Sequence, residues 1–126
     1  TKIPIVDKFF RIFHNGAPLV CAVMERLGPS IHRAVHHCDI FPISFATLVM
    51  RNILEAIHYL HEVVGIAHLD ISPANILFKQ AFPLERGILP PSSHIRIIDF
   101  NTSEKHGMIG NGTRYLPPYR PPEVCL

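Results

Sequence analysis

The sequence predicts an α+β fold, and three observations predict it. Two runs rich in Val, Ile and Phe flank an Asn-Gly pair near the N-terminus. One long segment carries apolar residues at helical spacing, and two short apolar runs come after it on either side of loops. At 126 residues the chain is one domain or a piece of one, large enough to bury about two-thirds of its unfolded surface. An apolar content of 48% against 17% charged residues is that of a globular chain, not a disordered one.

Ile3 to Phe13 and Leu19 to Glu25 are the first two apolar runs, separated by His14-Asn15-Gly16-Ala17-Pro18. Asn-Gly at that place predicts a hairpin connection, because both residues accept the positive φ that tight hairpin turns need. Gly28-Pro29-Ser30 punctuates the chain, and Ser30 is placed to cap a short helix running to about His37. From Ser44 to Val64 the residues Val49, Ile53, Ile57, Leu60 and Val64 recur every three to four positions. That spacing predicts the principal helix, with Ser44 as its N-cap and Gly65 as its stop. Lys79 to Ser93 carries three prolines and no period, and reads as a loop. His94 to Phe100 reads as a short strand, and the chain beyond Phe100 is irregular in pattern.

Bulk properties exclude several classes. A net charge of +2 without a Lys/Arg run gives no argument for nucleic acid as a partner. Cys21, Cys38 and Cys125 are odd in number and show no CxxC spacing, so a reduced intracellular protein of cytoplasm or nucleus is expected, not a disulfide scaffold. The longest apolar stretch, Ile40 to Met50, contains Pro42 and Ser44 and falls well short of the ~18 residues of a membrane span, so no membrane partner is expected. The chain opens at Thr1 in mid-pattern and closes at Leu126 just after a helix-start signal, which predicts a fragment of a larger domain.

Chemistry concentrates in "GIAHLDISPANILF", residues 65 to 78. Pro73 has no N–H to donate and pushes Ser72 out of the α region. Asp70 and Asn75 therefore stand at the two ends of a short, stiff loop between apolar runs. A carboxylate and a carboxamide so placed could hold a metal, a hydroxyl proton, or only each other. Asp99, at the end of the strand in "HIRIIDFNTSE", adds a second carboxylate.

With these residues in order, the chain resembles the protein kinase family. His68-Leu69-Asp70 is similar to the His-Arg-Asp motif, and Asn75 to the asparagine that ends the catalytic loop. Asp99-Phe100-Asn101 resembles Asp-Phe-Gly, and Pro121-Pro122-Glu123 resembles Ala-Pro-Glu. "VCAVMERLGPSI" is similar to the last small-lobe strand and hinge and leans to the SR-protein kinase branch, and "YRPPEV" is similar to the segment shared by cyclin-dependent, MAP and SR-protein kinases (the CMGC group). Any one motif is weak; four in order at family spacing are specific.

The resemblance implies a partial protein kinase-like fold. Residues 1–27 would be the end of the small lobe and the hinge, and residues 28–126 the first half of the mainly helical large lobe. It implies ATP and Mg²⁺ as cofactors and a protein substrate phosphorylated on Ser/Thr hydroxyls. Asp70 would be the catalytic base, and Asn75 and Asp99 the metal ligands. Met24 as gatekeeper, Glu25 and Leu27 through their backbones, and Leu77 as an apolar floor would take the nucleotide. His68, Phe100, Arg120 and Glu123 would be structural.

This sequence departs from the family pattern at four places. Leu69 replaces the arginine before the catalytic aspartate, as in SR-protein kinases. Ser72 stands where the catalytic-loop lysine belongs, and losing one preorganised charge of that kind costs about 10²–10³ in rate. Asn101 replaces the glycine of Asp-Phe-Gly, where a residue tolerant of positive φ keeps the turn possible. Leu116 occupies the position of an expected threonine, and Thr113 lies three residues too early.

Two rival functions remain open to such a chain. One is a pseudokinase that keeps the fold without transfer, for which Ser72 and Asn101 argue. The other is a small-molecule phosphotransferase of the aminoglycoside or choline kinase type, against which "YRPPEV" argues. Plainer readings apply elsewhere. His68 is expected to pack under Phe100, and Cys21 to be a small core residue on a buried strand. His32 and His36, like His58 and His61, read as a solvated helix face before a zinc site.

Overall fold

The computed structural model describes residues 3–38, 41–105 and Tyr119. Strands β1 (Val6–His14) and β2 (Ala17–Met24) pair antiparallel, closing at His14 opposite Ala17. Asn15 (φ 49°) and Gly16 (φ 79°) are thus the two loop residues, both left-handed as a type I′ turn demands. The hairpin is a sheet of two strands only, too narrow to enclose its own side chains, and its residues are exposed apart from Cys21. This corrects the reading of Cys21 as a core residue: it is half-buried on an open hairpin.

Helix α1 (Ile31–His37) begins as expected at Ser30, whose Oγ accepts the Arg33 N–H at 3.3 Å. Helix α2 (Ile43–His58) starts two residues earlier than predicted. Ser44 lies inside its first turn. Pro42 takes the cap position, contributing a carbonyl that accepts the Ala46 N–H at 2.9 Å but no side-chain bond. The apolar spacing predicts one helix to Val64, whereas the chain widens after His58 into a π-helical turn, Tyr59–Val64. Gly65 (φ 72°) ends it, its N–H reaching the Leu60 carbonyl. The wider winding rotates later side chains away from the α-helical stripe, so Leu60 is buried while Val64 is exposed.

Two short antiparallel pairings follow among the described residues. Strand β3 (Ile66–Ala67) pairs with β6 (Glu104–Lys105), and β4 (Ile76–Phe78) pairs with β5 (Ile95–Ile97). The run read as a strand from His94 to Phe100 is regular only over β5, because Asp99 turns into the left-handed region at φ 63°. Ile76, Phe78, Ile95 and Ile97 from this small sheet pack on Val49, Ile53, Ala56 and Leu60 of the principal helix and its π turn.

Gly28 joins the hairpin to this core. Its N–H donates to the Phe78 carbonyl at 2.8 Å, and the Phe78 N–H donates to the Pro29 carbonyl at 3.0 Å. The backbones approach so closely that a Cβ at position 28 would collide with the carbonyl of Gln80. Only glycine fits there.

Candidate functional site

The loop between β3 and β4 is held from both ends. Asn75 Nδ2 donates to the Asp70 carbonyl at 3.0 Å and to Asp70 Oδ2 at 2.9 Å, while the Asn75 N–H donates to the Ser72 carbonyl at 3.0 Å. The Asn75 carbonyl accepts the Ile98 N–H at 2.9 Å, tying the loop to the residue before Asp99. The mutual hydrogen bonds and the chemically useful arrangement therefore coexist. They consume the amide hydrogens of Asn75, and among the described residues its Oδ1 makes no hydrogen bond.

His68 fixes the third corner. Its Nε2 lies 2.9 Å from the Ile98 carbonyl, and its Nδ1 accepts the Asp70 N–H at 3.2 Å, which assigns the proton to Nε2. The ring stacks on Phe100 at 4.7 Å between centroids, as the sequence leads one to expect. Burial holds His68 below its ordinary pKa. The Ile98 hydrogen bond and the charges of Asp70 and Asp99 pull the other way, so both carboxylates lie within electrostatic reach of this ring. Leu69, between His68 and Asp70, takes φ 64°. A branched side chain in that region stores about 1–3 kcal/mol of strain, which the packing of its neighbours sustains.

The His68 pKa has a consequence for stability. Its folded value lies below the unfolded 6.5, so the unfolded chain binds more protons once the pH falls below about 6.5. Stability is expected to be present above that pH and to be lost on acidification. Thermal melts at about pH 7.5 and pH 5.5, wild type against His68→Asn, read this. Equal losses in both proteins would assign the acid sensitivity elsewhere.

Asp99 presents its carboxylate from a left-handed residue, and the Asn101 N–H donates to its Oδ1 at 3.4 Å. The left-handed turn therefore falls on Asp99, not on Asn101 as the sequence suggested. Thr102 and Ser103 donate their hydroxyls to the His68 carbonyl at 3.1 and 3.3 Å. Neither contact is legible in the sequence, because hydroxyls on an irregular segment carry no pattern.

A cavity of about 360 Å³ opens between the hairpin and Asp99. Met24 lines it from β2, and Asp99, Phe100 and Asn101 line it from the other side. Leu27 precedes Gly28, whose N–H is bonded to the Phe78 carbonyl, and Leu77 forms a β-bridge with Ser30. The side chain of Glu25 does something the sequence did not announce: Oε1 accepts from Arg96 Nε at 2.9 Å. Arg120 and Glu123 lie outside the described residues.

Ser72 is buried, and its Oγ has no hydrogen-bond partner among the described residues. It lines an apolar cavity of about 550 Å³ between α1, α2 and the loop. An unsatisfied buried hydroxyl costs about 1–3 kcal/mol, so Ser72→Ala is expected to hold or raise the melting temperature. A clear loss on denaturant titration would show that Oγ is bonded after all.

The protein kinase domain is the family whose sequence profile matches, over residues 2–125. The chain belongs to the protein kinase family. This kinase chain is 32% identical over 129 aligned positions to the serine/threonine-protein kinase AFC1 of Arabidopsis thaliana, covering 85% of the chain and 27% of that protein. It is 30% identical to the serine/threonine-protein kinase HAL5 of Saccharomyces cerevisiae, covering 90% of the chain and 12% of that protein. A crystal structure of a kinase domain matches with a TM-score of 0.79 at 25% identity, over 98% of this chain and 39% of the other. The kinase chain thus spans less than a third of the length of these curated relatives, and its strands and helices form a partial kinase fold.

Proposed function

We propose that the intact protein transfers the γ-phosphoryl group of ATP to Ser/Thr hydroxyls of proteins. The Asp70–Asn75 geometry carries this reading. Asn75 spends its amide hydrogens on Asp70 and keeps Oδ1, while His68 ties the loop to the segment that ends in Asp99. Phosphoryl transfer asks little covalent chemistry of a protein; it asks for positioned oxygens. Asp70 orients the attacking hydroxyl and accepts its proton.

Asn75 Oδ1 and the Asp99 carboxylate are hard oxygen donors and would hold Mg²⁺, which neutralises phosphate charge when bound. Among the described residues, no three or more His, Cys, Asp and Glu side chains are grouped to hold a metal. Mg²⁺ is held through one or two protein carboxylates together with phosphate oxygens, a set that Asp99 and Asn75 would complete with the nucleotide. Met24, Leu77 and the backbones of Glu25 and Leu27 take the adenine end. Residues 1–27 act as the end of the small lobe with the hinge, and residues 28–126 as the first half of the large lobe, in which Arg120 and Glu123 support the activation segment.

The names of the relatives favour a protein substrate over a small molecule. "VCAVMERLGPSI" supports the SR-protein kinase branch, and the odd number of cysteines without CxxC spacing supports an intracellular setting. No helix of the described residues is long and apolar enough to cross a membrane. One observation favours a second reading, a nucleotide-binding pseudokinase: Ser72 supplies no cation to the loop.

Incubating the intact protein with γ-labelled ATP, Mg²⁺ and an Arg-Ser-rich peptide separates the two. Label on serine is the expected result. Mg-ATP binding without transfer to this peptide or to a general protein substrate would select the pseudokinase.

A further inference from the structure

Arg96 sits in the middle of β5, a strand whose three residues are all buried. A guanidinium in that place is costly unless it is paired. Its Nε donates to Glu25 Oε1 at 2.9 Å and its Nη1 to the Ile95 carbonyl at 3.1 Å. The side chains are 7% and 25% exposed, against 75% and 49% in the surface pair Arg51–Glu55. Solvent screening that makes the surface pair nearly worthless is therefore much reduced here.

Glu25 is also anchored at its own position. Its N–H donates to the Ile5 carbonyl at 3.3 Å, and its Oε1 accepts the Ile5 N–H at 3.4 Å. The carboxylate is held below the usual range, first by the Arg96 hydrogen bond; burial opposes this, and the Ile5 N–H and the charges of Arg96 and Lys79 add to the lowering. The pair therefore joins positions 71 residues apart. One is the residue immediately after Met24; the other lies three residues before Asp99.

We infer that Glu25 and Arg96 form a positioning pair, which sets the distance between the adenine end of the nucleotide site and the carboxylate of Asp99 at its phosphate end. The inference rests on the kinase reading. If the two ends of the nucleotide are held by separate parts of the chain, a rigid strut between those parts adds to nucleotide affinity without its paired side chains touching the nucleotide. Displacements of about 1 Å in a positioned reactant cost as much as 10²-fold, so a strut of this kind has a measurable effect.

The test is a double-mutant cycle in the intact protein, with Glu25→Gln, Arg96→Met and both together. Glu25→Gln keeps the acceptor for Ile5 and removes only the charge, so it remains informative should Arg96→Met fail to fold. The expected result is a KM for ATP raised about 10-fold in each single variant, the double no worse than either, and kcat changed by less than about threefold. The KM for peptide stays at the wild-type value, and Arg96→Lys recovers part of the ATP KM. Assays run well below each variant's melting temperature, where a merely structural role leaves KM unmoved. An unchanged ATP KM, additive effects, or a rise in kcat alone would overturn the pair while leaving the kinase reading intact. A wild-type protein that binds no Mg-ATP would overturn both.

Discussion

Asp99→Ala in the intact protein is expected to abolish phosphoryl transfer and to weaken Mg-ATP binding, whereas Asp70→Asn abolishes transfer but spares binding. The two carboxylates differ in what surrounds them. Asp70 already has Oδ2 bonded to Asn75 at 2.9 Å, and an amide at position 70 preserves the shape of the loop while losing the proton acceptor. Asp99 stands at the cavity beneath β2, at the end of a strand and in a left-handed conformation that aims a short polar side chain away from the core. Removing one preorganised charge costs about 10²–10³ in rate, and the loss of a shared metal adds to it. Equilibrium nucleotide binding and labelled transfer, measured on both variants, separate the roles. Normal transfer by Asp99→Ala would remove that residue from the site; loss of binding by Asp70→Asn would give Asp70 the metal.

Phe78→Ala is expected to have the largest effect on stability. The ring is 1% exposed and meets Phe41, Phe45 and Phe82 at centroid distances of 6.3, 6.4 and 5.4 Å. Truncating such a residue costs about 3–5 kcal/mol through lost transfer energy and the cavity left behind. That is a large part of the roughly 5–15 kcal/mol by which a domain is stable. Phe78 also bridges the backbones of Gly28 and Pro29, three residues after Asn75. Phe78→Ala keeps these backbone bonds, so the cost falls on the side-chain packing alone. Denaturant titration of the intact protein measures this, and a cost below about 1 kcal/mol would mean that the aromatic cluster repacks around the gap.

Local signals were readable wherever the physics is local. Asn15-Gly16 specified the hairpin turn because left-handed backbone is a property of those two residues. Ser30 and Gly65 specified a helix start and a helix stop because capping involves only neighbouring N–H and carbonyl groups. Ser44 failed as a cap because Pro42, with φ near −55°, could already begin the turn. The π-helical turn after His58 was invisible, since the same apolar spacing suits an α-helix until Leu60 must reach the core.

At the site, the residue types and their order were determined by the sequence alone: His68, Asp70, Asn75 and Asp99 stand at spacings that resemble a kinase catalytic loop and the Asp-Phe-Gly segment after it. Only the tertiary structure decided how they are held. The tautomer of His68 depends on its bond to the Ile98 carbonyl 30 residues away, and the commitment of Asn75 to Asp70, the left-handed Leu69 and the turn at Asp99 appear only in the folded chain. The Glu25–Arg96 pair spans 71 residues, and the buried hydroxyl of Ser72 faces a cavity built from two helices. A sequence pattern records spacing along the chain, whereas burial and hydrogen-bond geometry arise only once distant segments share one core.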